Sequence, residues 1–204
     1  MPTQGRNAKK PGQYRMTKRA ELIDRTRERI AAAAVEQHLS VGPSRTSIAS
    51  IAEAAGVTRP TVYRHFANMD EVFAACMAHW LSRHPSPDPG PWLAMEGFEP
   101  RARRVLTELY RWYGDVGYVL YPIFRDIDSV PPYSRAGVEG WSDQFADVIV
   151  NARPSPSPPS KRLRAATVHI VRLPTWRALV LDGGLSTDDA VDLGVLWLVG
   201  AASG

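Results

Sequence analysis

The residue types best suited to binding chemistry are concentrated in one short stretch, GVTRPTVYRHF, which spans residues 56–66. Val62 and Phe66 are four residues apart, so in a helix they share one face and can anchor it to neighbouring helices. The other side chains then point outward and offer guanidinium, phenol, imidazole and hydroxyl groups. Arginine can form two hydrogen bonds to guanine, Pro60 and the methyl of Thr61 suit thymine, and hydroxyl or imidazole groups can bond phosphates. The stretch predicts a helix that contacts DNA, although a hydrated polar surface would have the same composition.

The segments beside this stretch predict a helix-turn-helix. Residues 46–55, TSIASIAEAA, form an amphipathic helix that Thr46 or Ser47 can cap and that Gly56 ends. Thr58 can cap the helix that follows the turn. Two short helices joined by a tight glycine turn are the architecture that presents a reading helix to a DNA groove.

Further helices are predicted on both sides of this unit. Residues 20–39 carry an apolar face, and the Gly-Pro pair at residues 42–43 ends that helix. Asn68 or Asp70 can cap a longer helix that extends to about Leu81.

The remainder of the chain is also predicted to be helical, with proline-rich breaks at residues 83–91 and 153–160. Pro174 would kink the helix that contains it. No pair of strands is evident, so the fold class is all-α, with about nine helices. The later helices are predicted at residues 99–114, 115–127, 134–152, 161–182 and 186–202.

Charge is distributed unevenly along the chain. Residues 1–66 contain twelve Lys or Arg against five Asp or Glu, whereas residues 67–204 contain thirteen against sixteen. A basic front on a mildly acidic body favours a polyanionic partner for the front. Residues 1–18 are polar and basic, and we predict a disordered basic arm there. The arm can lie in the DNA minor groove or serve solubility alone.

Several other classes of protein are not supported by the sequence. A single cysteine, Cys76, gives no disulfide framework and fits a reducing cytoplasm. No apolar run is long enough to span a membrane, and no secretory signal is evident. No catalytic triad, phosphate loop or paired-carboxylate motif indicates an enzyme. Cys76 and His79 are one helical turn apart but lack further ligands, so we predict neither a metal nor a cofactor.

The stretch TSIASIAEAAGVTRPTVYRHFANMDEVF resembles the DNA-binding region of the tetracycline-repressor (TetR) family of bacterial transcription regulators. The most specific pieces are IA-x-x-AGV, then PTVYRHF, then an acidic helix start followed by VF. After the predicted disordered basic arm at residues 1–18, the resemblance implies a helix-turn-helix DNA-binding domain at 19–67 and a helical ligand-binding and dimerisation domain at 68–204. It also implies a cytoplasmic protein that associates with the bacterial nucleoid.

The resemblance implies a set of DNA-contacting residues on and around the reading helix. Two departures from the family pattern weaken the expected contacts: Met69 stands where a lysine is common, and Ala49 where a basic residue is common. The implied DNA-binding residues are Thr46, Ser47, Thr58, Arg59, Pro60, Thr61, Tyr63, Arg64 and His65.

The resemblance also implies a pocket for a small lipophilic molecule in the second domain. The segment YRWYGDVGYVLYPIF is rich in aromatic residues and can wall such a pocket, although aromatic residues at helical spacing are more often simply core. Arg125 and Asp126 can supply polar contacts to the ligand or pair with other charges. The predicted ligand-binding residues are Trp112, Tyr118, Tyr121, Phe124, Trp141, Phe145 and Trp176.

The last two predicted helices, 161–182 and 186–202, carry apolar stripes, and the final helix is apolar on more than one face, which favours a homodimer through these two helices. A two-fold dimer can place two reading helices in successive major grooves, about 34 Å apart. The predicted function is therefore that of a repressor which a small lipophilic molecule releases from a palindromic operator. The alternative is an interaction protein whose degenerate helix-turn-helix no longer binds DNA specifically.

Overall fold

The computed structural model describes residues 11–153 and 160–203 of the chain. Over these residues the chain is helical, with no β-strand, in agreement with the predicted fold class. Short 3-10 turns lie at Pro43–Arg45 and Ile127–Ser129, and a π-helix at Arg177–Asp182 continues α9. The helices are α1 (Pro11–Ser40), α2 (Ile48–Ala54), α3 (Arg59–His65), α4 (Met69–Leu81), α5 (Gly90–Leu93), α6 (Phe98–Arg125), α7 (Pro132–Val150), α8 (Lys161–Ile170), α9 (Leu173–Trp176) and α10 (Thr187–Ala202).

Three helices begin at side-chain caps that the sequence predicts. The Ser47 hydroxyl accepts a hydrogen bond from the Ser50 amide at 3.1 Å and starts α2. The Thr58 hydroxyl accepts from the Thr61 amide at 3.4 Å and starts α3. At α4 the Asn68 side chain accepts from the Glu71 amide at 3.0 Å. Such caps stabilise a helix by about 1 kcal/mol each. The starts of α2, α3 and α4 are therefore encoded by local sequence.

The turn between α2 and α3 depends on glycine. Gly56 has φ 62°, a conformation that side chains with a Cβ rarely adopt. The Val57 amide donates to the Ala52 carbonyl at 2.9 Å and the Gly56 amide to the Glu53 carbonyl at 3.0 Å. These two bonds close the end of α2 as a Schellman motif and set the direction in which α3 leaves.

The buried residues form two cores, one in each half of the molecule. We call the first the head core, and the part of the molecule around it, helices α1, α2, α3 and α4, the head. The head core consists of Ile30, Ala33, Ala34, Ile51, Ala52, Ala55, Val62, Phe66, Val72 and Cys76. The second, the body core, is built around α6, which packs against α1, α7, α9 and α10. Helix α4 belongs to both, because Val72 and Cys76 face the head core while Phe73 and Trp80 face the body core.

The structure differs from the sequence prediction in the length of α6. Residues 99–114 and 115–127 were predicted as separate helices, but one helix runs from Phe98 to Arg125. Gly117 lies inside this helix, where Trp176 of α9 packs against it. A Cβ there would lie 2.7 Å from the Trp176 ring, so the glycine lets α9 pack closely against α6.

The predicted helix at residues 161–182 is interrupted. Helix α8 ends at Ile170 and α9 restarts at Leu173, with Pro174 in its first turn rather than at a mid-helix kink. The hydroxyl groups of Tyr110 and Tyr113 donate to the carbonyls of Ile170 and Val171 at 2.9 and 2.8 Å. These buried bonds from α6 satisfy the carbonyls that the interruption leaves without helical partners.

Two predicted segments lie partly outside the described residues. Helix α1 begins at Pro11, so it includes part of the predicted arm at 1–18, and residues 1–10 of that arm lie outside the description. Residues 154–159 of the predicted loop at 153–160 also lie outside it. Within the described ranges, no helix has the combination of length and hydropathy needed to traverse a lipid bilayer.

Candidate functional site

Helix α3 presents a polar outer face while its inner face is buried. Val62 is fully buried and Phe66 is 1% exposed, both in the head core. On the other side Tyr63 is 56% exposed, and Arg59 and Arg64 are exposed as well. All nine residues predicted to contact DNA are exposed or half-buried, so each can reach a ligand outside the head: Thr46, Ser47, Thr58, Arg59, Pro60, Thr61, Tyr63, Arg64 and His65.

Two arginines of α1 hold the helix-turn-helix in place. The Arg27 guanidinium lies 4.1 Å from the centre of the Phe66 ring and also donates to the His65 carbonyl at the end of α3. Arg29 donates to the Ala55 carbonyl at 2.6 Å, at the end of α2. Both cations therefore lie at helix C-termini, where the helix dipole favours positive charge. No local sequence signal indicates these two contacts, because the partners of Arg27 and Arg29 are 38 and 26 residues away along the chain.

Three of the residues predicted to contact DNA already use their hydroxyl groups in hydrogen bonds within the protein. Thr46 donates to the Gly42 carbonyl at 2.9 Å, and Ser47 and Thr58 cap α2 and α3. Burial and then the charges of Arg64 and Arg27 lower the pKa of His65, which favours its neutral form at pH 7. His65 is thus suited to a hydrogen bond with phosphate rather than to an ion pair.

The two departures from the family pattern have a structural counterpart. Met69 is half-buried and packs against the head core, so this position contributes packing in place of a charge. Ala49 is half-buried on α2 and presents only a methyl group. Position 49 therefore offers no charged or hydrogen-bonding side chain on α2.

A cavity of about 260 Å³ lies between α4, α6 and α7. Three of the predicted ligand-binding residues line it: Trp112, Phe124 and Trp141. Trp112 lies near two of the other indole rings, with centroids 5.3 Å from Trp141 and 6.1 Å from Trp80. The other lining residues are Phe73, Ala74, Met77, Trp80, Leu81, Leu120, Ile123, Tyr133, Ser134, Gly137 and Val138.

The other four residues predicted to bind ligand lie outside this lining. Phe145 is buried behind Trp141, with ring centroids 4.6 Å apart, and Trp176 is buried against Gly117. Tyr121 lies under the Arg177 guanidinium at 4.2 Å, and Tyr118 is 80% exposed.

Helical phase explains which residues of α6 reach the cavity. Trp112, Leu120, Ile123 and Phe124 share one face of α6 by their spacing, and Tyr118 falls on another. Four large residues of α4 also line the cavity, and the sequence prediction did not include them. Their spacing of four, three and one residues places them on one face of that helix. Those residues are Phe73, Met77, Trp80 and Leu81.

A polar contact joins the end of α6 to the head; we call it the α6 clasp. The Asp126 carboxylate accepts from the Ser44 hydroxyl at 2.5 Å and from the Ser44 amide at 3.2 Å. Arg125 pairs with Asp126 at 2.7 Å and donates to the Val41 carbonyl at 3.1 Å. Gly42 makes this approach feasible, because a Cβ there would overlap the Asp126 carboxylate. Hydrogen bonds from Arg125 and then Ser44 hold the pKa of Asp126 far below its usual value.

A second polar contact, the α7 clasp, joins the start of α7 to the start of α4. The Asp70 carboxylate accepts from the Ser134 amide at 3.0 Å and from its hydroxyl at 2.9 Å. Ser134 also lines the cavity, and Phe124 of the lining immediately precedes the Arg125–Asp126 pair. Both clasps therefore connect the cavity wall to the segments that flank α2 and α3. Arg125 and Asp126, which were considered as polar contacts to a ligand, lie in the α6 clasp and not in the cavity lining.

Comparison with known proteins finds one family model that matches the head. A family model described as bacterial regulatory proteins, tetR family, matches residues 30–76, from the second half of α1 through most of α4. A TetR-family transcriptional regulator from Streptomyces coelicolor is 21% identical with a TM-score of 0.53, over 88% of this chain and 80% of its own.

Two further solved structures share the fold over most of their length. A putative fatty acid metabolism regulator from Clostridium perfringens is 12% identical, with a TM-score of 0.57, over 84% of this chain and 97% of its own. The regulator FadR from Bacillus subtilis, solved in complex with stearoyl-CoA, is 15% identical, with a TM-score of 0.52, over 86% and 97%. At these identities the likeness concerns the fold, and it extends beyond the head to the body. Residues 30–76 therefore match the model of the TetR family of bacterial transcription regulators, and the whole chain shares the fold of TetR-family regulators; within the match, α2 and α3 form a helix-turn-helix.

Proposed function

We propose that this protein is a repressor that binds a roughly palindromic operator as a homodimer and is released from it by a small lipophilic molecule. The observation that supports this most strongly is the division of α3 into a fully buried anchor and an exposed polar face. The regulator would act in the bacterial cytoplasm, on the nucleoid.

The side chains of α3 have distinct proposed roles in the major groove. Arg59 and Arg64 are exposed cations that can bond guanine edges or phosphates, and Tyr63 offers a phenol beside them. Pro60 and the Thr61 methyl are placed to contact thymine. Thr46, Ser47, Thr58 and His65 would bond phosphates and fix the register of α3 on the duplex.

The homodimer is supported by an apolar face that the single chain leaves exposed. Val191 and Val195 of α10 are buried in the body core, yet Leu196 is 66% exposed and Trp197 is 43% exposed on the same helix. Leu181, in the π-helix before α10, is 46% exposed. A second copy would cover this face, which coincides with the predicted dimer helices at 161–182 and 186–202.

The two clasps offer a route from the cavity to the DNA. A molecule that fills the space between α4, α6 and α7 acts on Phe124 and Ser134, which are next to one clasp and part of the other. Strain on these contacts would move the head and change the spacing of the two α3 helices in the dimer. The shift is limited by the difference in the ligand's affinity for the two states.

The proposal is tested by measuring binding of the full chain to the DNA upstream of its own gene at several salt concentrations. A regulator that neutralises phosphates should show a log–log slope of about −0.9 for each phosphate contacted. It should also prefer an inverted repeat in that DNA over a shuffled duplex of equal length. Equal, weak binding to both duplexes would contradict the proposal and favour the alternative, an interaction protein with a degenerate helix-turn-helix.

A further inference from the structure

We infer that the cavity binds a compact, uncharged molecule of about two fused aromatic rings, and that it does not bind an acyl-CoA or another anion. This inference rests on the proposed function, because it names the class of effector for that regulator. Three features of the cavity support it: the chemistry of its lining, its size and the arrangement of its rings.

The lining has no charged group. Among the described residues that wall the cavity there is no Asp, Glu, Lys, Arg or His. An anionic or cationic group placed in this space would lose its hydration without gaining a counter-ion from the wall, which is costly. The carboxylate next to the lining is Asp70, which already accepts two hydrogen bonds from Ser134. Its negative charge would repel an anion further.

The size of the cavity limits the ligand to a compact molecule. An engineered apolar cavity of about 150 Å³ accommodates benzene, and pockets for drug-sized ligands begin near 300 Å³. A volume of about 260 Å³ lies between these values and suits two fused rings. A long acyl chain with a nucleotide head group exceeds it, so a fold shared with an acyl-CoA-binding regulator does not extend to its ligand.

The rings in the wall favour an aromatic ligand over an aliphatic one. The Trp80 and Trp112 rings meet at 75° and the Trp112 and Trp141 rings at 50°. Inclined rings offer both faces and edges, and an inserted planar ring can make offset-stacked and edge-to-face contacts with them. Tyr133 and Ser134 place hydroxyl groups at the wall, and the Ser134 hydroxyl, which donates to Asp70, can accept a hydrogen bond from a neutral polar substituent.

Three probes of nearly equal shape test the inference by isothermal titration calorimetry on the full chain. They are 2-naphthol, which is neutral, 2-naphthalenesulfonate, which is an anion, and N-methylquinolinium, which is a cation; decanoyl-CoA is the fourth ligand. We expect 2-naphthol to bind at least tenfold more tightly than each of the others. Equal or tighter binding of either ion or of decanoyl-CoA, or no binding of 2-naphthol, would overturn the inference.

Substitutions at two glycines of α7 test whether 2-naphthol binds in this cavity. Gly137 lines the cavity and Gly140 does not, and a Cβ at either position meets no atom within 4 Å. Gly137→Phe fills the cavity without backbone strain, so it should weaken 2-naphthol binding at least tenfold, whereas Gly140→Phe should leave it unchanged. Equal affinities for the two variants would overturn the assignment to this cavity. The selectivity among the probes needs no variant and holds if either substitution impairs folding.

The proposed DNA-binding function and the proposed class of effector can be contradicted independently. DNA binding is measured without any probe, so a protein that binds the upstream inverted repeat but prefers an anionic probe retains the proposed function and loses the effector class. A protein that binds 2-naphthol in the cavity but shows no preference for the inverted repeat retains the site and loses the regulator.

Discussion

The head and the body of this molecule build their candidate binding sites in opposite ways. The head core consists largely of alanine and branched aliphatic side chains, which let short helices pack closely and leave polar groups on the outside. The body core contains large aromatic residues on long helices, and where these helices diverge they leave a cavity of about 260 Å³. In the head the proposed binding surface consists of side chains on one short helix, α3. In the body it is a space between helices.

This difference explains how much of each region the sequence predicts. The head is encoded by residues that interact over a few positions: the Ser47 and Thr58 caps, the Gly56 turn and the pair of Val62 and Phe66. Each signal lies within one or two helical turns, so the outline of the reading helix follows from the motif alone.

The body depends on contacts between distant residues, and the sequence predicted it less well. The α6 clasp joins Ser44 to Asp126, which are 82 residues apart, and no local pattern indicates such a pair. The sequence predicted three aromatic residues of the cavity wall, Trp112 and Phe124 on α6 and Trp141 on α7. Tyr118 has the same residue type as a pocket aromatic but lies on the exposed side of its helix.

The largest effect is expected from removing the anchor of the reading helix. Phe66→Ala deletes a ring that is 1% exposed and lies beneath Arg27, so the free energy of unfolding of the head should fall by about 3–5 kcal/mol. DNA binding should be lost while 2-naphthol binding in the body remains, as followed by chemical denaturation and calorimetry. Tyr63→Ala, on the exposed side of α3, should weaken DNA binding without this loss of stability. A simultaneous loss of 2-naphthol binding in Phe66→Ala would show that the two regions do not fold independently.

A smaller effect is expected at the boundary between the regions, where His38 of α1 packs on Phe73 of α4 at 5.0 Å between ring centroids. Burial lowers the pKa of His38 to about 4, from 6.5. The unfolded chain therefore binds more protons, so stability falls as the pH decreases from 6.5 towards 4. His38 alone should contribute a loss of about 2 kcal/mol between pH 7.5 and pH 5.

Denaturation at these two pH values tests the role of His38. His38→Phe keeps a ring in the core and should remove this part of the pH dependence, whereas His169→Gln, at an exposed position, should not. An unchanged pH dependence in His38→Phe would mean that the acid sensitivity arises elsewhere.

The subtlest effect is expected in communication between the regions. Asp126→Asn weakens the α6 clasp, so 2-naphthol should still bind and DNA should still bind, but the ligand should reduce DNA affinity by a smaller factor. Coupling of this kind typically spans about 5- to 150-fold, and we expect the variant to lose most of it. Asp128→Asn is the control, because its side chain is 96% exposed and pairs with Arg135 on the surface. Full ligand response in Asp126→Asn, measured by fluorescence anisotropy of labelled DNA, would remove the clasp from the proposed route.

The central claim is that the outer face of α3 reads DNA. It is tested most directly by comparing two arginine-to-alanine substitutions, each of which removes one positive charge. Arg64 lies on that face and Arg111 is exposed on α6 in the body. On the inverted repeat upstream of the gene, Arg64→Ala should weaken binding by about 1–3 kcal/mol, or reduce the salt slope by about 1 if its partner is a phosphate. Arg111→Ala should match the unmodified protein. Equal losses in the two variants, or no loss in Arg64→Ala, would contradict the assignment of α3 as the reading helix.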